Sequence, residues 1–211
     1  RLDGIASLVL ELDGTISELA WSPNGDSIAF LMDPGWEYNT ELERSVYIIN
    51  LETNSYLPIK QYSDRIIAYG AEWSPDSKSL IMSYPSEVVF NSPNEPGTRL
   101  SPFDIVIVNA STGELLQSKW NGSYATWGVH RDEVIVVDSD IGKPNQELPI
   151  YEIDLKTGTA REIAKTVPAF INGGDIDVSS TGLLAYRNVG TLNIVDIASG
   201  EQIGELKVES R

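Results

Sequence analysis

One pattern returns four times along this chain, and that return restricts the fold more than any other feature. The first copy runs from Ile16 to Asn54. A short apolar run ends at Ala20-Trp21, the chain turns at Ser22-Pro23-Asn24-Gly25, and a second run follows at Ser27-Ile28-Ala29-Phe30. After a variable segment come Val46-Tyr47-Ile48-Ile49, the closing turn Asn50-Leu51-Glu52-Thr53-Asn54, and one more extended piece, Tyr56 to Lys60. Each unit therefore holds four short strands. The positions Trp21, Trp73, Trp127 and Val178 follow one another at intervals of 52, 54 and 51 residues.

The turn residues have a mechanical reason to recur. The motif [Asn/Asp]-x-x-[Thr/Ser]-[Gly/Asn] closes all four units, at Asn50, Asn109, Asp154 and Asp196. Its first side chain accepts bonds from backbone N–H groups two residues on, and its last residue tolerates the positive φ that reverses a strand. In Trp-Ser-Pro-Asn/Asp, proline presets φ and the Asn or Asp accepts the tight corner. The third unit replaces Ser-Pro with Gly128 to Asp132, and the fourth has Val178 for tryptophan and Ser179-Ser180-Thr181-Gly182 for the turn. A faint helical period over 155–164 is overruled by the repeat alignment.

Units of four strands at a fixed period predict an all-β fold, a β-propeller of four four-stranded antiparallel blades over 16–60, 66–120, 123–164 and 174–208. One leading strand, Ile5 to Leu12, stops at Asp13-Gly14. A chain of 211 residues, 41% of them hydrophobic, suffices for one such domain. The segments Ala20 to Phe30 and Glu72 to Ser77 resemble the WD40-like (PD40) repeat of TolB-type propellers, a repeat found also in the propellers of prolyl oligopeptidase and tricorn-type proteases. The resemblance covers almost the whole chain. It implies an extracytoplasmic module, periplasmic, secreted or surface-attached. Family propellers commonly carry six to eight blades, so four blades make either an unusually small ring or a segment of a larger one, and the leading strand suits a blade whose other strands lie elsewhere.

Charge and missing residue types exclude several chemistries. Thirty-one acidic residues against 15 basic ones give a net charge of −16, which repels phosphate backbones and anionic lipid, so neither nucleic acid nor a membrane is an expected partner. Cysteine is absent and His130 is the single histidine, so no thiolate or imidazole cluster exists to bind zinc or iron. The Gly-x-Ser-x-Gly elbow and the phosphate-binding glycine loops are absent too, and the resemblance to peptidase propellers carries over no catalytic residue. Asp138-Ser139-Asp140-Ile141-Gly142 begins like a calcium loop but breaks its ligand spacing at Gly142 and Lys143, which favours an ordinary loop. No enzyme activity, cofactor or metal is expected.

The remaining signal lies in the insertions between the second and third strands, Leu31 to Ser45, Tyr84 to Phe103 and Asp138 to Pro149. They leave one face of a propeller. The first two hold Trp36, Tyr38, Tyr84, Phe90 and Phe103 outside the strand pattern, as interface anchors for a protein or peptide partner or as lids over the blade ends. The sequence leaves open three functional classes: a binding module, the gating propeller of a peptidase whose catalytic part lies outside this chain, and a small-ligand or sugar binder.

Overall fold

The central strands of the repeats are continuous apolar runs because both of their faces are buried. In Leu80-Ile81-Met82, Leu80 and Met82 pack towards the first repeat and Ile81 towards the third. Ile135 and Val137 likewise face the fourth repeat while Val134 and Val136 face the second. A sheet buried on both sides requires neighbours on both sides, so the repeats stack face to face. The computed structural model describes residues 11, 15–33, 45–59, 69–85, 88–89, 99–100, 103–122, 124–138, 147–167, 176–188 and 190–207. Among these residues every regular element is a strand.

Blade 1 is β1 (Thr15–Trp21), β2 (Ser27–Asp33), β3 (Ser45–Asn50) and β4 (Ser55–Ile59), hydrogen-bonded in that order. Blade 2 starts with β5 (Tyr69–Trp73) and β6 (Ser79–Pro85), passes through a small hairpin of β7 (Val88–Val89) and β8 (Arg99–Leu100), and finishes with β9 (Phe103–Asn109) and β10 (Leu115–Asn121). Blade 3 is β11 (Tyr124–Trp127), β12 (Glu133–Val137), β13 (Leu148–Asp154) and β14 (Ala160–Thr166). Blade 4 is β15 (Ile176–Val178), β16 (Leu183–Asn188), β17 (Thr191–Asp196) and β18 (Glu201–Lys207). All four blades are antiparallel meanders, matching the predicted all-β fold and its four-strand repeats. The leading strand expected over 5–12 lies outside the described residues, apart from Glu11.

The turn mechanism operates as the motif requires. Asn50 Oδ1 accepts from the N–H groups of Glu52 (3.1 Å) and Thr53 (2.9 Å), and Asn109 Oδ1 from those of Ser111 (2.8 Å) and Thr112 (3.1 Å). Asp154 and Asp196 do the same, and these backbone donors hold both carboxyls below the usual aspartate range. The final residue of each motif has positive φ: Asn54, Gly113, Gly158 and Gly200. In the Trp-Ser-Pro corner, the left-handed residue is the one after Asn24 or Asp76, namely Gly25 or Ser77. The buried serine organises that corner: Ser22 Oγ accepts from Ser27 N–H and Ser74 Oγ from Ser79 N–H, both at 2.9 Å.

The tryptophans join blade to blade. Trp73 Nε1 donates to the carbonyl of Ala20 at 3.0 Å, and Trp127 Nε1 to that of Glu72 at 3.1 Å. The acceptor each time is the residue preceding the previous unit's tryptophan, so the hook repeats with the sequence. Blade 4 has Val178 at this position, and its junction uses other groups. Arg161, paired with Glu152 at 2.6 Å, donates to the carbonyls of Ile197 and Ala198, and Thr166 Oγ1 donates to that of Arg187 at 2.8 Å. Trp73→Phe is expected to cost about 1–3 kcal/mol, since it strands the Ala20 carbonyl but keeps most of the ring, against about 3–5 kcal/mol for Trp73→Ala. Urea unfolding of both variants checks that order.

Candidate functional site

The two ends of each blade differ. The first–second and third–fourth strand turns share one end, where they are bonded to each other: Leu51 N–H to Asp26 O (2.9 Å), Ala110 N–H to Lys78 O (2.9 Å), Leu155 N–H to Asp132 O (2.8 Å) and Ile197 N–H to Gly182 O (3.0 Å). By antiparallel topology the second–third connections leave from the opposite end, which is where the long insertions lie. A cleft of about 570 Å³ separates blades 1 and 2 at the turn end, with Tyr56 and Lys78 in its wall. The side-chain oxygens of Asn50 and Asn109, also in that wall, are occupied by their own turns. The turn end is stitched across blades as well, by Asn24 N–H to Ser77 Oγ at 3.0 Å and by Arg131 to Asp76 at 3.4 Å.

The predicted anchors fall into two groups. Trp36, Tyr38 and Phe90 lie outside the described residues. The backbones of Tyr84 and Phe103 belong to β6 and β9, where Tyr84 is opposite Asp104 and Pro85 opposite Phe103. The second insertion therefore starts later than its sequence pattern implies, and β7 and β8 carry antiparallel pairing further, Val88 opposite Leu100. The physical reason is that backbone pairing needs no apolar alternation and continues after the core-facing pattern has ended. Of the segment considered for calcium, Asp138 is described and Asp140 is not. Among the described residues no group of three His, Cys, Asp or Glu side chains is placed to hold a metal ion.

The sequence reading missed a polar cluster on the innermost strands. Glu72 of β5 accepts hydrogen bonds from the Tyr124 hydroxyl and the Thr126 hydroxyl of β11, while its main-chain carbonyl takes the Trp127 indole. Burial raises the Glu72 carboxyl above the usual carboxylate range; the two hydroxyl donors oppose the shift and the charge of Asp177 adds to it. Burial, then the Glu72 charge, raise the Tyr124 phenol far above the tyrosine range, with Glu18 and Asp177 contributing, so Tyr124 remains a donor. Glu18 sits in a bulge of β1 with φ +52°, a conformation few side chains adopt outside special sites. The signal available in the sequence was repeat position: Glu72, Thr126 and Asp177 each immediately precede the tryptophan position. The cluster can receive a cationic or hydrogen-bond-donating group.

The fold and this arrangement define the class: stacked propeller-type blades with short locked turns at one end and insertions at the other. No protein-family model matches the chain, and no curated protein matches it in sequence. Solved structures do match in fold. TolB from Acinetobacter baumannii aligns with a TM-score of 0.62 at 19% identity, over 96% of this chain and 46% of that one. The tricorn protease gives 0.62 at 12% identity, over 92% of this chain and 22% of its own. A chain of the mitotic checkpoint complex gives 0.60 at 14% identity, over 92% and 52%. The chain thus spans about half or less of the proteins it resembles.

Glu72 makes stability pH-dependent with a definite sign. Its folded-state pKa lies above the unfolded value of roughly 4.3. Between the two values the folded chain binds more protons, so this stabilisation is full below the unfolded pKa and is lost as pH rises through the folded one. Glu72→Gln removes the dependence. The urea midpoint of the parent relative to Glu72→Gln should fall as pH rises from acid to neutral, and a flat difference contradicts the assignment.

Proposed function

We propose that the chain is a non-catalytic binding module, a TolB-like propeller that presents its insertion end to a protein or peptide outside the cytoplasm. The observation that carries this reading is the contrast between the ends. The turn end spends its polar groups on its own turns and on neighbouring blades, whereas the variable length and the aromatics Trp36, Tyr38 and Phe90 are concentrated in insertions at the other end. Aromatic side chains on connections that a blade does not need for pairing are typical anchors of protein interfaces. Similarity in fold to TolB and to a chain of the mitotic checkpoint complex, by name a protein assembly, supports a macromolecular partner. The acidic inner strands favour a partner that offers basic or donor groups there.

A second reading, the gating propeller of a peptidase, is favoured by the fold similarity to the tricorn protease. Labelling of the natural polypeptide, isolated from its source cell, with a serine-hydrolase active-site probe separates the two. A labelled chain supports the peptidase reading. For the binding reading, Trp36→Ala, Tyr38→Ala and Phe90→Ala are measured against captured partner by titration and beside a thermal melt. At the best of them a loss of about 2 kcal/mol or more, roughly 30-fold in affinity, is expected with the fold intact. A stability loss of about 3 kcal/mol with binding per folded molecule unchanged makes these residues lids instead. The purified chain is expected to turn over no peptide, ester or glycoside.

A further inference from the structure

Most polar groups of the turn end are spent on turns and junctions, but the cleft between blades 1 and 2 keeps several unspent. Contacts on both of its sides hold it open. On the inner side Trp73 Nε1 donates to the Ala20 carbonyl and the Asn24 N–H to Ser77 Oγ, both at 3.0 Å, which fixes the two corners against each other. On the outer side Gly113 comes against blade 1, where an added Cβ would lie 3.2 Å from Ile59 Cδ1 and 3.8 Å from Leu57 Cδ2. The space between, about 570 Å³, is therefore formed before a ligand enters, and it falls in the size range of small-molecule sites.

Its wall combines an apolar part with hydrogen-bonding groups of both kinds. Ile48, Leu57 and Trp73, which pack in the core between the two blades, supply the apolar part. Asp26 and Lys78 stand at the same repeat position, five residues after Trp21 and Trp73, and bring opposite charges, one from each blade. Among the described residues the Lys78 ammonium makes no hydrogen bond or ion pair, and Asp26 Oδ1 is open while Oδ2 accepts from Asn24 Nδ2 at 2.8 Å. The Ser27 hydroxyl is likewise unbonded among these residues, and Ser77 Oγ, which accepts from Asn24, keeps its proton to donate. The cleft between blades 2 and 3 differs. There Arg131 is spent on Asp76 at 3.4 Å, and Lys156 at 2.6 Å on Asp132, the residue at the Asp26 and Lys78 position.

We infer that the cleft between blades 1 and 2 binds a neutral polyhydroxylated ligand, a mono- or disaccharide. Its C–H face lies on the side of Ile48, Leu57 and Trp73, and its hydroxyls take bonds from Lys78, Ser27 and Ser77 and give one to Asp26. A sugar hydroxyl both donates and accepts, so it satisfies both kinds of group, whereas an anion meets the Asp26 charge and a cation that of Lys78. Among the described residues lining the cleft these two are the charged ones, and they cancel, in a chain whose net charge is −16. The site is separate from the insertion end, and the partner proposed there neither requires nor excludes it.

Backbone-amide NMR of the purified chain, titrated with the methyl glycosides of glucose, galactose, mannose and N-acetylglucosamine and with maltose and cellobiose, tests it. Saturable shifts at the amides of Asp26, Ser77, Lys78 and Ser111 are expected from at least one of these sugars. Lys78→Met keeps the stem and removes the ammonium, and it should weaken that binding about tenfold or more, as for loss of a hydrogen bond to a charged group, while melting with the parent. Lys156→Met, in the next cleft, should leave the binding unchanged. Methyl glucuronide, which adds a carboxylate, should bind less tightly than the best neutral sugar. No saturable shift from any of the sugars, shifts that lie away from this cleft, binding indifferent to Lys78→Met, or a glucuronide that binds tightest of the set each overturn the proposal.

Discussion

Burial of apolar surface between neighbouring blades is the constraint on which everything else in this molecule depends. A single four-stranded sheet with aliphatic residues on both faces cannot hide them from water, and each buried Leu, Ile or Val contributes about 1.5–3 kcal/mol only when a second sheet covers it. The clusters formed by Leu31, Val46 and Ile48 with Leu80, Met82 and Val106, and by Ile135 and Ile150 with Leu184 and Val195, are that covering. The indole hooks add direction. Dispersion between sheets tolerates sliding, whereas a hydrogen bond from Trp73 to one carbonyl selects one register between blades.

The same constraint accounts for where the repeat has diverged. Blade 4 dispenses with the tryptophan, and its junction with blade 3 is aligned by the Arg161 guanidinium reaching two carbonyls of the neighbouring turn and by Thr166 at the other end of β14. Gly128 replaces the corner serine in blade 3, where an added Cβ would meet Glu133 Cβ at 2.6 Å. The interior polar cluster around Glu72 is tolerable for a related reason. Its carboxylate has two hydroxyl donors from the next blade, so the cost of burying it is partly offset by partners that exist only when the blades are stacked.

The proposed binding role draws on what stacking leaves over. At the turn end, backbone and side-chain bonds join the turns of each blade and of adjacent blades, which leaves little unspent polarity. At the insertion end the strands that border the connections are fixed by their own pairing, such as Pro85 to Phe103. A scaffold with one locked end and one variable end suits recognition. Fold similarity to TolB and to peptidases is compatible with that use and does not distinguish their activities, since propellers of this kind serve several.

The sequence by itself determined the strands, the turns and the period, because each is decided by contacts a few residues long. Asn109 bonding the N–H groups of Ser111 and Thr112, Gly113 taking positive φ, and apolar runs of strand length need no distant partner. Tertiary structure decided the rest. Tyr84 and Phe103 were assigned to an insertion and lie in the ladder, since pairing extends past the apolar pattern. Glu72 was one acid among 31 until Tyr124 and Thr126, more than fifty residues away, were brought against it. Trp21 and Trp73 occupy the same place in nearly the same local sequence, yet one is exposed and the other buried. Among the described residues a blade covers Trp73 and none covers Trp21, and no local pattern encodes the presence of a neighbour.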